Sequence, residues 1–231
     1  MNYKQSLLLV AFMLCFVTTS FSQHRNYHIT NGFSIFGGMT QFDIATDNFT
    51  TSKEWGFLGG MWATVDIPHR WYNVSFGMQL SESKLGILAR PYRASEPSLE
   101  MESFVNYKMF AAQIALLGHI KLGTPDVTID LGPMFQYNSD LEMKDKSQGE
   151  YKISNYDGLN ASEIASISNF NLNGVVGITA GYKYVKLRAQ YIYGATNILK
   201  RLNGKVLNTE GGKSTFKGNQ TMLVLGLNVS F

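Results

Sequence analysis

The sequence predicts an all-β chain: an eight-stranded antiparallel up-and-down transmembrane β-barrel with short periplasmic turns and long extracellular loops. Three observations lead there. Successive segments alternate between apolar and polar side chains, the connections between them alternate between short and long, and an export signal precedes a chain with no stretch fit for a membrane helix.

The 231 residues open with Lys4, an apolar run from Leu7 to Val17, and then Thr18 to Ser22. The run is too short to span a bilayer as a helix, and Ser20 and Ser22 supply the small-x-small pattern of a signal-peptidase site. Residues 1–22 are therefore expected to be a signal peptide, 23–31 a periplasmic N-terminal segment and 32–231 the barrel domain. The single cysteine, Cys15, lies in the signal behind Leu14, where a lipoprotein signal would need a small residue. The mature chain then has no disulfide to stabilise it, so packing or a membrane must do so. A formal charge of +3 is too weak a bias to argue for nucleic acid. Beyond the signal, the longest nearly uncharged apolar run, Met109 to Ile120, is interrupted by Gln113, Gly118 and His119, so insertion must be by strands.

The strands follow in order. Gly32–Gln41 sets Phe33, Ile35 and Met39 against Ser34, Gly38 and Thr40, and Trp55–Ile67 sets Phe57, Met61 and Val65 against Gly60, Thr64 and Asp66. Tyr72–Ser83 alternates completely, with Val74, Phe76, Met78 and Leu80 opposite Ser75, Gly77, Gln79 and Ser81. Phe110–Leu122 opposes Ile114, Leu116 and Ile120 to Gln113, His119 and Lys121; Thr124, Pro125 and Asp126 should turn the chain into Val127–Asn138. Pro133 in that strand requires a bulge or strand end where its missing donor is harmless. Phe170–Tyr184, Val185–Thr196 and Gln220–Phe231 complete the set, the last with Leu223, Leu225, Leu227, Val229 and Phe231 in one row. The links near Pro68, Pro125 and Tyr184 are short. Phe42 to Glu54, Lys84 to Met109, Ser139 to Asn169 and Asn197 to Gly218 are expected to be long loops on the opposite rim. The final strand should pair with the first to close the barrel.

A soluble lipocalin-type barrel is the alternative, and it demands apolar residues inside. Asp66, Lys121, Asp130, Lys183, Lys186 and Arg188 all share the parity of the smaller, polar face. Eight strands leave too little room inside for the aromatic rows, so lipid outside and a polar lumen fit better. Trp71, Tyr72, Tyr182, Tyr184 and Phe231 fall at the short-turn rim, and Trp55, Phe57, Phe135, Tyr137 and Phe170 toward the other. They read as interfacial girdles, against the simpler alternative of strand propensity.

The eight strands, the terminal Phe231, the segment Gln190-Tyr191-Ile192-Tyr193-Gly194-Ala195-Thr196-Asn197-Ile198 and the signal ending Ser20 to Gln23 together resemble the PorT-like outer-membrane β-barrel family of Bacteroidetes-type bacteria. Ala195 stands where that family more often has Leu. The resemblance covers the mature chain and implies a bacterial outer-membrane location, with protein secretion as the role of some relatives and no catalytic residues to carry over.

The strongest constellation of chemistry is a lumenal charge network of Asp66, His119, Lys121, Asp130, Lys183, Lys186 and Arg188. Charges in a narrow lumen must be paired or hydrated, so an interlocking plug is expected ahead of an ion pathway. No enzyme is expected, because His24, His28, His69 and His119 all fall before or near periplasmic strand ends, away from an outer catalytic rim. Gly211-Gly212-Lys213-Ser214 lacks the first glycine and the strand-loop-helix context of a phosphate loop. The carboxylates between Ser139 and Asn169 lack calcium-loop spacing, so a solvated loop, no metal and no cofactor are expected. Arg90 and Arg93 are candidate loop contacts for lipopolysaccharide, against an ordinary exposed turn. The expected partners are outer-membrane lipid and lipopolysaccharide, other envelope or secretion proteins, and no nucleic acid. The function expected is that of a non-enzymatic structural or accessory barrel, with a surface ligand-binding or small-solute transport barrel as the alternative. Phe231 is expected to serve as part of the insertion signal. Its deletion should lower the yield of heat-modifiable protein in the outer membrane, and an unchanged yield would count against the barrel.

Overall fold

The computed structural model describes residues 30–67, 69–91 and 101–231. The signal peptide, most of the N-terminal segment, His24, His28 and Arg93 lie outside the described residues. Among the described residues, ten strands form one antiparallel sheet: β1 (Thr30–Thr46), β2 (Thr51–Asp66), β3 (Tyr72–Arg90), β4 (Ser103–Leu122), β5 (Thr124–Asn138), β6 (Glu142–Met143), β7 (Lys152–Ile153), β8 (Phe170–Tyr182), β9 (Val185–Gly194) and β10 (Gly218–Ser230). All but β6 and β7 pair with their neighbours in a ring of 8 strands. The ring closes where β10 meets β1, from Ser34 opposite Ser230 to Thr46 opposite Gly218, as the terminal row predicts. Among the described residues, closure gives each of the eight ring strands a partner on both sides, where hydrocarbon would penalise an orphaned backbone group by several kcal/mol.

At one rim the turns are minimal. Gly123 alone joins β4 to β5, using a φ of +73° that costs glycine little, with a bulge at Lys121 and Leu122. The expected turn at Thr124, Pro125 and Asp126 is thereby corrected: these residues already belong to β5. Pro133 pairs with Gly174 on β8, and the ladder to β4 is interrupted between Met134 and Leu131, so its missing donor falls where no bond is required.

The other rim departs further from expectation. The first long loop shrinks to residues 47–50, because β1 runs to Thr46 and β2 starts at Thr51, and the second shrinks to 91–102, because β3 runs to Arg90 and β4 starts at Ser103. The reason is a change of faces along single strands. Low on β3, Phe76, Met78 and Leu80 face outward while Ser75, Gln79 and Ser81 are buried; higher up, Leu85, Ile87 and Ala89 are the buried ones. β4 mirrors this, with Val105, Tyr107 and Met109 buried and Phe110, Ile114 and Leu116 exposed. β1 does the same with Phe42 and Ile44 against Ile35 and Met39. Apolar side chains exchange parity where the surrounding solvent changes from lipid to water, so the alternation reads as a strand end although the backbone ladder continues.

Exposed apolar side chains cover the lower wall, among them Leu80 at 69%, Leu187 at 66% and Phe135 at 64%, an arrangement stable only against lipid. Rings crowd its two limits: Trp71 packs edge-on to Tyr72 at 5.1 Å, Phe33 lies 6.5 Å from Phe231, and Tyr137 lies 4.9 Å from Phe170. Above the upper limit the two longest connections fold into a cap. β6 pairs with β4 at Tyr107 and Lys108, and β7 with β3 at Ala89 and Arg90. Residues 139–169 bury Leu141, Ile153, Tyr156, Leu159, Ile164 and Ile167, and the β9–β10 connection buries Ile198, Leu199, Leu202 and Phe216. Phe49 joins Tyr156 and Phe216 at centroid distances of 6.3 and 5.9 Å. The expectation of a solvated loop from Ser139 to Asn169 is corrected accordingly. Its charges do face water, but the apolar residues between them form a core, each full burial contributing about 1.5–3 kcal/mol.

Inside the lower barrel, glycines face the lumen where large groups must fit. A Cβ at Gly77 would lie 2.3 Å from the Trp62 ring. Gly77→Ala should therefore cost about 1–3 kcal/mol through overpacking, read as a lower temperature at which the folded band converts to the unfolded one on a denaturing gel.

Candidate functional site

The charged residues anticipated in the lumen form two separate centres. Near the short-turn rim, Lys121 Nζ lies 3.0 Å from Asp66 Oδ1 and also donates to the Ile67 carbonyl. With Asp66 half exposed, this pair is largely screened by solvent. Deeper, fully buried Asp130 on β5 is the hub. His119 Nδ1 on β4 lies 2.6 Å from one carboxylate oxygen, Thr128 Oγ1 donates to the same oxygen at 2.7 Å, and Thr179 Oγ1 from β8 donates to the other. Arg188 Nε on β9 donates to Thr179 Oγ1 at 3.2 Å and lies 3.9 Å from Asp130. Three neighbouring strands thus satisfy one buried carboxylate, as a desolvated charge requires. Lys183 and Lys186 border the same cavity as Arg188, Lys183 from the β8–β9 turn at φ 49° with its Nζ 5.3 Å from the Tyr182 ring.

Arg188 is also held from above. Its guanidinium carbon stands 4.7 Å from the Trp62 ring and 5.3 Å from that of Phe36, and both rings are buried. Cation–π contact with two desolvated rings offsets part of the cost of burying the charge. The inward-facing Leu117, Met134 and Val175 are also buried, so the lumen is not polar throughout as the sequence suggests.

An amide network lies higher in the lumen. Gln79 donates to Gln113 at 2.7 Å, Gln113 to Gln136 at 2.8 Å, and Gln136 to Asn138 at 2.6 Å. Gln136 and Gln220 exchange bonds at 2.9 Å, and Gln220 donates to Asn173 at 2.8 Å. The belt ties β3, β4, β5, β8 and β10 across the lumen. The alternation of residues puts Gln79 and Gln113 on the polar face, but sequence reasoning passed over them in favour of the charges. The available signal was the recurrence of amides at matching positions on successive strands.

In the cap, buried Asn48 joins three segments that are distant in sequence. Its amide donates to Tyr156 Oη and to the Thr215 carbonyl, each at 3.0 Å, while its oxygen accepts from the Lys217 backbone at 3.0 Å. Tyr156 in turn donates to the Lys213 carbonyl at 3.0 Å, and burial pushes its phenol pKa up. Arg90 is engaged here too, donating to Asp157 at 2.8 Å and to the Tyr156 carbonyl at 3.3 Å.

Ser75, His119 and Asp130 have the connectivity of a serine-hydrolase relay, with Ser75 Oγ 2.6 Å from His119 Nε2. Ser75 is 1% exposed, however, so its hydroxyl is not presented to a substrate. Together with the contact of His119 Nδ1 to Asp130, the Ser75 contact forms a hydrogen-bonded ladder across the lumen wall. On the outer wall, small residues Gly59 and Ala112 border an apolar groove of about 650 Å³ between Met61, Met78, Leu80 and Phe135, which faces lipid.

A closed antiparallel ring, an apolar wall between aromatic limits and a tightly packed lumen define a transmembrane β-barrel protein. No known family's sequence profile matches the chain, and no curated protein is similar to it in sequence. Among solved structures, it is similar to neisserial surface protein A (NspA), with 16% identity and a TM-score of 0.46 over 86% of this chain and 97% of that one. It is also similar to the translocator domain of the autotransporter NalP from Neisseria meningitidis, with 12% identity and a TM-score of 0.33 over 99% of this chain and 95% of that one.

Ser75 should resist a fluorophosphonate probe in the folded protein. Labelling that disappears in Ser75→Ala would make the ladder a catalytic triad and overturn the structural reading.

Proposed function

We propose that the chain is a non-enzymatic outer-membrane β-barrel with a structural or accessory role in the cell envelope, acting through its wall and cap on lipid, lipopolysaccharide and neighbouring envelope or secretion proteins. The observation that carries this reading is the filled lumen. Trp62, Phe36 and Arg188 form one packed layer, the amides from Gln79 to Gln220 hold another, and the cap core around Phe49, Tyr156 and Phe216 covers the outer mouth. A barrel packed in this way offers its outside rather than a channel. The export signal and the resemblance to PorT-like barrels support the outer membrane and an accessory part in secretion. The alternative of an outer-loop capture site is less well supported, because the cap packs its apolar residues against one another and leaves mainly solvated charges such as Lys144, Lys146 and Glu150 outside.

Short turns belong at the periplasm in such barrels, which puts Arg70 inside and Lys146 outside. The mature chain has no cysteine, so Lys146→Cys should react with a membrane-impermeant maleimide on intact cells and Arg70→Cys only after lysis. The reverse labelling would overturn the orientation. Planar-bilayer recording of the purified wild type should show no steady single-channel current, and large stable conductance would remove the plugged-scaffold reading.

A further inference from the structure

Charge is spread unevenly along the aromatic limit on the cap side. The β9–β10 connection, residues 195–217, carries Lys200, Arg201, Lys205, Lys213 and Lys217 against a single acid, Glu210. It climbs beside the residues that precede β8, with Ala195 N donating to the Leu172 carbonyl and Ser168 N to that of Ile198. The short 3₁₀ turn Lys200–Gly204 therefore stands just above Phe170, which is 77% exposed. Leu202 anchors this turn in the cap core, while Lys200, Arg201 and Lys205 are exposed. Arg201 Nη1 donates to Asn169 Oδ1 at 2.7 Å and pairs with Asp140 at 3.0 Å. Lys205 Nζ donates to a neutral hydroxyl, that of Ser166, at 2.8 Å. The ammonium groups of exposed Lys200 and Lys217 have no ion-pair or hydrogen-bond partner among the described residues. Of the nearby acids, Asp140 is taken by Arg201 and Glu163 accepts from the Asn160 backbone at 2.8 Å, so the bases around the turn outnumber them. Directly below lies the apolar groove of the wall, about 650 Å³, with Phe170 and Thr196 on its border. It shares Gly59, Leu80, Ala112 and Tyr137 with a second hollow of about 750 Å³ that reaches Phe57 and Phe110. At that far end the lysines are compensated, Lys84 by Glu82 and Lys108 by Glu142, each at 3.1 Å. Excess positive charge and groove thus meet at Phe170 and Thr196.

We propose that this face holds one lipopolysaccharide molecule, with a lipid A phosphate on Lys200, Lys205 and Lys217 and acyl chains in the groove beneath. This deepens the contact with lipopolysaccharide proposed above and rests on that reading's orientation. The groove opens into hydrocarbon, so its occupant is a membrane component, and bases at headgroup depth select an anionic one. Two joined hollows suit a lipid with several acyl chains. Long loops belong outside, in the leaflet where lipopolysaccharide supplies the phosphate. An ammonium without a counter-ion gains a charge-assisted contact to phosphate without breaking an existing ion pair.

Native mass spectrometry of the detergent-purified full chain, its folding checked by heat modifiability, tests this with lipid A, with lipid A stripped of its phosphates, and with phosphatidylethanolamine. The wild type should hold one lipid A at concentrations where the other two do not bind. A base beside an anionic lipid contributes roughly fivefold in affinity. The double variant Lys200→Gln with Lys205→Gln should therefore weaken lipid A binding by roughly tenfold or more, while Lys146→Gln should leave it unchanged. Ala112→Phe, which fills the groove from its exposed floor, should weaken lipid A binding several-fold and keep the preference for phosphate. Equal affinity for lipid A with and without phosphate, or wild-type affinity in the double variant, would overturn the site. A dimer that excludes lipid A would assign the groove to a second copy and overturn it as well. Reversed maleimide labelling would overturn the choice of lipopolysaccharide, because the turn would then meet the inner leaflet. Large conductance would defeat the plugged scaffold alone, so the two readings fail separately.

Discussion

The constraint on which everything else depends is that hydrocarbon offers no partner to a backbone amide. A chain with no membrane helix can cross only by pairing every strand on both sides, and the β10–β1 ladder from Ser34–Ser230 to Thr46–Gly218 is what makes that possible. Once the ring is closed, each strand has one face in lipid and one in a lumen wide enough for little more than side chains. The outer face becomes apolar because nothing else is tolerated there at low cost. The inner face must then satisfy its own polar groups in a confined volume.

That second demand explains the order inside. A carboxylate at Asp130 is sustainable because His119, Thr128 and Thr179 converge on it from β4, β5 and β8, each such bond to a charged group contributing about 1.5–3 kcal/mol. Arg188 is sustainable because two rings and that carboxylate surround it. Amides recur above because each side chain carries both donor and acceptor and can extend a network from strand to strand without net charge. The same logic marks Arg188 Nη1 and Trp62 Nε1, neighbours in one layer and both buried without a hydrogen-bond partner, as exceptions.

Much of this architecture was legible in the alternation of residues. All eight ring strands, their order and the closing pair could be read from rows such as Val74, Phe76, Met78 and Leu80, since lipid imposes a period of two on one face. Strand ends on the cap side could not. Between Leu80 and Leu85 on β3, and between Met109 and Phe110 on β4, the apolar residues change face, and a pattern search that looks for one persistent row stops there. Parity puts the charged residues on the inward face, but their grouping into a pair at the short-turn rim and a buried hub depends on cross-strand register, which single-strand alternation does not encode. The cap was missed because its apolar residues, from Leu141 to Ile167, are spread among charges without a period. Only contacts such as Asn48 with Tyr156 and Thr215 reveal that the segment has an interior.

The change of face has a further consequence for how the protein sits in its membrane. A uniform apolar wall could slide by a residue or two to suit bilayers of different thickness. Here the wall ends abruptly at Phe57, Phe110, Tyr137 and Phe170; Glu82 stands between Phe57 and Phe110 in the ladder, and it pairs with Lys84, as Lys108 does with Glu142, each at 3.1 Å. Below, Trp71, Tyr184 and Phe231 fix the other limit. Hydrophobic mismatch must therefore be absorbed by the surrounding lipid, which thins or thickens around the barrel, and the molecule acts as a gauge of fixed height that favours membrane regions matching it.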